Sequence, residues 1–295
     1  MSRFAYFPGC SLHATACKYD ESTRALAGCL DFGLEEIEDW CCCGATPADA
    51  IDAESARLLG LWNLAHAAKG GRSLLLTECA VYFSRLRAFR DEAPAKPALG
   101  EEARARLRLP IGPDLEVLHI AQALAAEPMR ERLRAAIVRP LAGLPVACYY
   151  GCLLTRPRGP GAVDDAEDPH LLEDLVRLVG AEPVAWPLRL DCCGASMMLP
   201  RPDLVHTLSG RILAMAHERG ARLLMVACLL CHSNLDFQQA AIARERGFDF
   251  RLPVLYLTQL IGLALGLPAE RLGLQRHFVP VPVEALVPAG GASRV

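Results

Sequence analysis

Thirteen cysteines are scattered through the 295 residues, and eight of them stand in four pairs at spacings that repeat. In the second half, Cys152 is followed by Cys192-Cys193-Gly194 and then by Cys228-Leu-Leu-Cys231. Those five thiols come from three separate segments, more than the four that a tetrahedral zinc uses. Iron–sulfur clusters take several thiolates and tolerate irregular cages, so the count favours iron over zinc. A glycine after each CC pair lets the backbone turn tightly and approach a cluster closely. A thioredoxin-like dithiol at Cys228 and Cys231 is a competing reading, but it leaves Cys152, Cys192 and Cys193 without a purpose. A structural zinc protein and a set of buried free thiols are further alternatives.

The first half offers Cys10, Cys42-Cys43-Gly44 and Cys79, with Tyr82 where the second half has Cys231. Four ligands match there instead of five. Adjacent cysteines do not easily bridge, since a disulfide needs suitably spaced and directed side chains. In Cys41-Cys42-Cys43 the repeat therefore makes Cys42 and Cys43 the working pair. Cys41 aligns with Asp191 and is either incidental or a substitute for the ligand missing at Tyr82. Cys17 and Cys29, after Cys10, and Cys148, in a strand, are expected in the core.

Those sites need elements to hold them, and the chain supplies the same elements twice. FPGCSLHAT around Cys10 matches YYGCLLTRP around Cys152, DWCCCGATPAD matches LDCCGASMMLPRPD, and LLLTECAVYFSRL matches LMVACLLCHSNL. EVLHIAQAL matches PVLYLTQLI, so that Gln122 pairs with Gln259. The offsets are 142 for Cys10/Cys152, 150 for Cys42/Cys192, 149 for Cys79/Cys228 and 137 for Gln122/Gln259, which stay near half the chain length. One fold is used twice with loops of different length. The expected domains are residues 1–142 and 143–295, each a CCG unit, after a helical Arg-rich stretch that ends near Pro140.

Within each half, short apolar strands such as RSLLLTEC and ARLLMVAC end at a cysteine, while DAESARLLGLWNLAHAAKG and PDLVHTLSGRILAMAHERG show helical spacing and stop at glycine. That alternation predicts an α/β fold of two tandem homologous domains, each with a mostly parallel sheet flanked by helices. Ligands of such sheets sit outside the carboxyl ends of the strands, and the cysteines fall at those ends. Asp91 to Pro113 reads as a loop plus an exposed helix, Gly159 to Pro169 as a surface loop with Asp168 or a neighbour capping the next helix, and the tail from Pro280 as extended, then frayed.

The bulk numbers narrow the function. A net charge of −3 with 22% charged residues leaves no electrostatic footprint for nucleic acid. The cysteine content falls short of the roughly 8–10% of disulfide-dense secreted chains, and MSRFAYFPGC meets a Pro-Gly turn before any signal-like apolar run. The expected compartment is the reducing cytoplasm, where clustered thiols serve metals or redox chemistry. Leu252 to Pro268 is short of the ~20 apolar residues of a membrane span, and reads as a buried strand followed by a core or interface helix. Of the histidines, His13 and His232 lie near the sites. His232 is expected as a satisfied helix-start residue or as a proton donor to a cluster. His66, His119, His206 and His217 lie on helical patterns and receive no role.

YFPGCSL, the two CCGA turns, CLLCHSNLD from Cys228 to Asp236 and the duplicated layout together resemble the B-type subunit of heterodisulfide reductase, the family of paired CCG domains. The similarity runs from Phe4 to about Leu267. The resemblance implies a non-cubane 4Fe-4S cluster on Cys152, Cys192, Cys193, Cys228 and Cys231. It implies a second 4Fe-4S cluster on Cys10, Cys42, Cys43 and Cys79, whose type is open because of Tyr82. It also implies a small thiol, disulfide or persulfide substrate and two further subunits, one flavin-containing (the A type) and one ferredoxin-like (the C type). Relatives of the family also pass electrons within succinate, lactate or glycolate dehydrogenases, so a relay without a substrate of its own is the second functional expectation.

Overall fold

In the computed structural model, which describes residues 3–45, 47–69, 71–95, 105, 115–156 and 162–286, the chain runs twice through the same course. The first half threads β1 (Arg3–Tyr6), α1 (Cys17–Leu30), β2 (Gly33–Glu36), α2 (Ala53–Ala68), β3 (Leu74–Thr77), α3 (Ala80–Ala95), β4 (Glu116–His119) and α4 (Ile120–Ala125). The second threads β5 (Pro145–Tyr149), α5 (Leu171–Leu178), β6 (Glu182–Pro183), α6 (Pro202–Glu218), β7 (Leu223–Val226), α7 (Gln239–Arg246), β8 (Val254–Tyr256) and α8 (Leu257–Ala264). Each half forms a four-stranded parallel sheet, ordered β2-β1-β3-β4 and β6-β5-β7-β8. The tandem α/β architecture expected from strand and helix alternation is present. No helix of the described residues is long and apolar enough to cross a membrane.

Strands buried on both faces need continuous apolar runs, which is why LLMV of β7 and VLY of β8 are buried throughout. The Gln122/Gln259 echo has a local cause. Each glutamine sits at the third position of a helix and accepts the amide of the residue before it, His119 N at 3.0 Å and Tyr256 N at 2.9 Å, closing a capping box that turns strand into helix. Asp52 starts α2 by accepting the amides of Glu54 and Ser55.

The halves meet along a pseudo-twofold seam. Helix α1 packs on α8, and α4 packs on α5. Tyr19 stacks on Tyr256 with ring centroids 3.9 Å apart, and Ser22 and Thr258 share a hydroxyl hydrogen bond of 2.6 Å. Leu257–Ala264 is buried from end to end, so the apolar segment near it is core, as its length suggested.

Four expectations need correction or completion. Cys29 is exposed and Cys17 half-buried, because both lie in the end turns of α1, off the buried stripe of Tyr19, Ser22, Leu26 and Leu30, and only Cys148 is core. Asp164, not Asp168, caps α5 by accepting the amides of His170 and Leu171 at 2.5 and 2.6 Å, while Asp168 pairs with Arg189. The tail is not simply extended, since Val283–Leu286 forms a helical turn that buries Leu286. Helix α3 continues through Ala95, and the rest of the Asp91 to Pro113 stretch lies, apart from residue 105, outside the described residues.

Candidate metal centre

Cys152, Cys228 and Cys231 sit just past the ends of β5 and β7, while Cys192 and Cys193 come from the longer loop between β6 and α6. Cys152 follows β5 through Gly151, whose φ of 64° only glycine adopts without strain and where a Cβ would lie 3.2 Å from Cys231 Sγ. Cys192 and Cys193 precede α6, with Gly194 at φ 95° and pressed against Val205. Cys228 and Cys231 bracket the turn Leu229–His232 that leaves β7.

The five thiols make two hydrogen-bonded sets, Cys193-Cys231-Cys228 and Cys152-Cys192, that meet at one cavity. Cys193 and Cys231 Sγ are 3.6 Å apart, Cys152 hydrogen-bonds Cys192, and Cys228 hydrogen-bonds Cys231. Cys152, Cys193, Cys228 and Cys231 line one small cavity, and Ala80 and Val81 of the first half form part of its wall. Cys192 is exposed and Cys152 half-buried, whereas Cys193, Cys228 and Cys231 are buried.

Their electrostatics divide the group into thiolates and donors. The hydrogen bond from Cys152 pulls Cys192 down to about 6 despite partial burial, and hydrogen bonds from Cys231 and Cys79 hold Cys228 well below the ordinary thiol range. Cys152 is pushed up by the same bond to Cys192, and Cys231 by its bonds to Cys193 and Cys228. Thiolate is the form that binds metal.

The first set assembles differently. Cys10, Cys42 and Cys43 share hydrogen bonds, the one from Cys43 being the main reason that Cys42 falls to about 5. Cys79 is buried at the seam, with Sγ 3.9 Å from Cys228 Sγ of the other half. Tyr82 lies over Gly9, where a Cβ would meet Cε2 at 2.5 Å, and its hydroxyl accepts the amide of Ser11 at 3.2 Å. That is the relation Cys231 has to Gly151, so the ring occupies the place of the fifth sulfur and carries its oxygen beyond it. Burial, then the nearby Cys79, keeps this phenol protonated. Cys41 turns toward α2, with its amide on Asn63 Oδ1 at 2.8 Å and its thiol directed at Leu59 O, and burial lifts it to about 11.

Two groups that the sequence reading passed over stand beside the seam. His119 does not lie on a helix face; it ends β4, where its Nε2 donates to Glu78 O at 2.7 Å and Ala227 O at 3.1 Å while Nδ1 accepts the Ala121 amide. It thereby pins together the two turns that carry Cys79 and Cys228, and burial lowers it to about 4, so it stays neutral. Glu78 is fully buried, and that burial raises it to about 8. Tyr6 OH lies 2.5 Å from Glu78 and 2.6 Å from Asp20, which Arg24 keeps in an ion pair. Tyr6 OH has one proton for the two carboxylates, so it donates to one of them at a time.

His232 departs from the expected satisfied helix-start residue: it ends the turn Leu229–His232, and its buried Nδ1 has no hydrogen-bond partner among the described residues. Its Nε2 is 3.0 Å from Val254 O and 3.3 Å from His277 Nδ1, and its ring stacks on Tyr256. His232, Asp236 and His277, all buried, bring ligand atoms within 4.8 Å of one another. Gln259 Oε1 is taken by Tyr256 N, so its amide nitrogen donates to His277 Nε2 and leaves the His277 proton on the Nδ1 that faces the centre. Asp236 accepts the amides of Phe278 and Val279, both at 3.0 Å. The remaining histidines are local: His13 is within 3.3 Å of Glu36, His206 bonds Glu245, His66 packs on Trp62, and His217 stacks on Phe250.

A family model described as a cysteine-rich domain, CCG, matches residues 4–81 and 146–236, the two segments that carry these thiols. The 8-methylmenaquinol:fumarate reductase membrane anchor subunit of Wolinella succinogenes is 32% identical over 278 residues, covering 94% of this chain and 96% of that one. The B subunit of the ferredoxin/F(420)H(2)-dependent CoB-CoM heterodisulfide reductase of Methanosarcina acetivorans is 27% identical over 286 residues, covering 95% and 94%. The chain belongs to the family of heterodisulfide reductase B-type subunits. The fold also matches the crystal structure of a hypothetical protein from Helicobacter pylori, with a TM-score of 0.73 at 14% identity, over 95% of this chain and 52% of that longer one.

Membership of this family makes the protein an iron–sulfur redox subunit, one part of an oxidoreductase. The donors fit such a cofactor: they are soft thiols, several held as thiolates, in a small cavity with apolar walls at strand ends. Within the family, the departure at Tyr82 was legible from the spacing alone. Glu78 was not, because a carboxylate before a cysteine in a loop carries no sign of burial.

Proposed function

We propose that this chain is the iron–sulfur subunit of a heterodisulfide-reductase-like complex and carries out thiol/disulfide or sulfane-sulfur redox chemistry. Cys152, Cys192, Cys193, Cys228 and Cys231 would hold a non-cubane 4Fe-4S cluster in a domain beginning near residue 143. Cys10, Cys42, Cys43 and Cys79 would hold a second 4Fe-4S cluster with four protein thiolates, Tyr82 filling the fifth position. The observation that carries this reading is the convergence of Cys152, Cys193, Cys228 and Cys231 from three loops on one cavity, with Cys192 bonded to Cys152 beside it and sulfur contact across the seam between Cys79 and Cys228. Bound clusters supply single electrons and a soft metal surface for sulfur.

The chain's own residues set the rest. Among the candidate ligands Cys10, Cys42 and Cys192 are exposed, so a small disulfide or persulfide would approach from their side, while Cys79, Cys193, Cys228 and Cys231 stay shielded from water. Cleaving a disulfide takes two electrons and two protons, which fits paired one-electron centres fed by flavin-containing and ferredoxin-like proteins of the same complex. Free thiols in this number favour a reducing cytoplasm as the working compartment.

Tyr82 also favours a second reading, in which the chain only relays electrons for a flavin-dependent dehydrogenase, and the fumarate reductase relative agrees with it. Anaerobic purification with iron, sulfide and zinc analysis and EPR separates the two. About eight irons per chain follows from two four-iron clusters, with a signal that changes on adding a disulfide or persulfide in the first reading. The same iron with no response to any sulfur compound would leave the relay, and no iron would end both.

A further inference from the structure

The residue six positions after the seam cysteine differs between the halves in what it can reach. After Cys79 it is Arg85, which donates to Gly44 O at 3.4 Å and pairs with Asp49. After Cys228 it is Asn234, 3% exposed, whose amide nitrogen reaches Ala195 O at 2.9 Å, Cys193 O at 3.2 Å and Cys193 Sγ at 3.6 Å. A turn of π-helix, Ser233–Phe237, presents it there, whereas α3 runs regularly through the corresponding positions. Single π turns recur at functional sites because the inserted residue redirects a side chain. Ser209 adds its hydroxyl to Cys193 O at 3.1 Å, so the carbonyl has a donor besides Asn234. The N–H aimed at sulfur is the part that Asn234 alone supplies among these neighbours.

We infer that Asn234 is a positioning residue that sets the reduction potential of the second-half centre through its N–H···S bond to Cys193. The inference rests on the proposal that Cys193 is a cluster ligand. A donor to a ligating sulfur stabilises the more negative, reduced state, so it raises the potential. Buried in a low-dielectric site, that bond counts for more than it would in water. Arg85 reaches only backbone on the CCG turn, and Cys43 is served by the Ala45 amide, so among the described residues the first-half centre has no side-chain amide on the matching sulfur.

The test is an EPR-monitored redox titration of the anaerobically purified holoprotein as wild type, Asn234→Ala, Asn234→Ser and Arg85→Ala, with iron counted in each. With iron retained, Asn234→Ala should move the second-half midpoint downward by about tenfold in the oxidised-to-reduced ratio at fixed potential, about 59 mV for one electron. Asn234→Ser should recover part of that shift, and Arg85→Ala should leave that midpoint in place. An unchanged midpoint in Asn234→Ala with full iron overturns the inference. So does the same shift in Arg85→Ala, which would mean general loosening, or iron loss in both Asn234 variants, which would make the residue an assembly element. A wild type without iron would instead overturn the cluster proposal, and the inference with it, and metal analysis tells that outcome apart.

Discussion

The two halves share strand order, capping boxes and the glycine turn after each CC pair, yet they part at residues 82 and 231. In the second half a thiol fits beneath Gly151; in the first an aromatic ring fills the same space against Gly9. A duplicated scaffold can therefore keep its geometry while one copy exchanges a ligand for packing. The largest expected effect follows directly. Cys231→Ala should abolish the second-half cluster and with it about four irons per chain, whereas Tyr82→Phe, which keeps the ring, should leave iron content unchanged. Metal analysis and EPR on the two variants check this, and equal iron loss in both would mean that the sites are not distinguished by this position. Tyr82→Cys sharpens the comparison from the other side by offering a fifth thiol.

The halves differ next at the residue before the seam cysteine, Glu78 against Ala227. Burial lifts the Glu78 carboxyl from 4.5 to about 8, so between those values the folded chain holds a proton that the unfolded chain releases. Stability from this group is complete below about pH 4.5 and is lost as pH rises toward 8, at about 1.4 kcal/mol per unit across the window. Glu78→Gln imitates the protonated acid. It should match wild type at pH 5 and exceed it at pH 8 by on the order of a few kcal/mol in denaturant midpoints measured without oxygen. A parallel pH dependence in the two proteins would show that Glu78 is not the source.

Much of this was legible in the sequence because parallel sheets put their chemistry at strand ends, where cysteines stand out from loop residues. The repeat located Gln122 and Gln259, but their purpose as capping boxes depends on backbone that only the fold supplies. Cys17 and Cys29 misled because cysteine content says nothing about which turn of a helix is covered. His119 and Glu78 were hidden for a different reason. His119 reaches across the seam to Ala227 O and Glu78 is enclosed by Tyr6 and Asp20 from distant segments, and no periodicity within one segment reports contacts of that kind.

The glycine turns provide a third comparison. Gly44 and Gly194 both have left-handed φ, 73° and 95°, so alanine costs each about 1–2 kcal/mol in backbone strain. Beyond that, a Cβ at Gly44 would lie 2.3 Å from the backbone oxygen of Ala56, while at Gly194 it would meet a Val205 methyl at 2.8 Å. A methyl can rotate away; a helix carbonyl cannot. Gly44→Ala should therefore unfold at clearly lower denaturant than Gly194→Ala, and the reverse order would show that the second turn is the less forgiving one.

The smallest effect concerns the seam that makes two copies one molecule. Ser22 and Thr258 exchange a buried hydroxyl hydrogen bond of 2.6 Å between α1 and α8, close to the stacked Tyr19 and Tyr256. A buried bond of this kind contributes about 1 kcal/mol net, and removing one partner leaves the other hydroxyl unsatisfied. Ser22 Oγ retains the Tyr19 carbonyl at 2.8 Å while Thr258 Oγ1 retains only the longer contact from Thr23 Oγ1 at 3.4 Å, so Thr258→Val strands less than Ser22→Ala does. Ser22→Ala should thus cost more than Thr258→Val, and the double variant less than the sum of the two, because the second substitution removes a group that has already lost its shorter cross-seam partner. Strict additivity in that cycle would mean that the hydroxyls do not couple the halves, and that the seam is held by ring stacking and apolar packing alone.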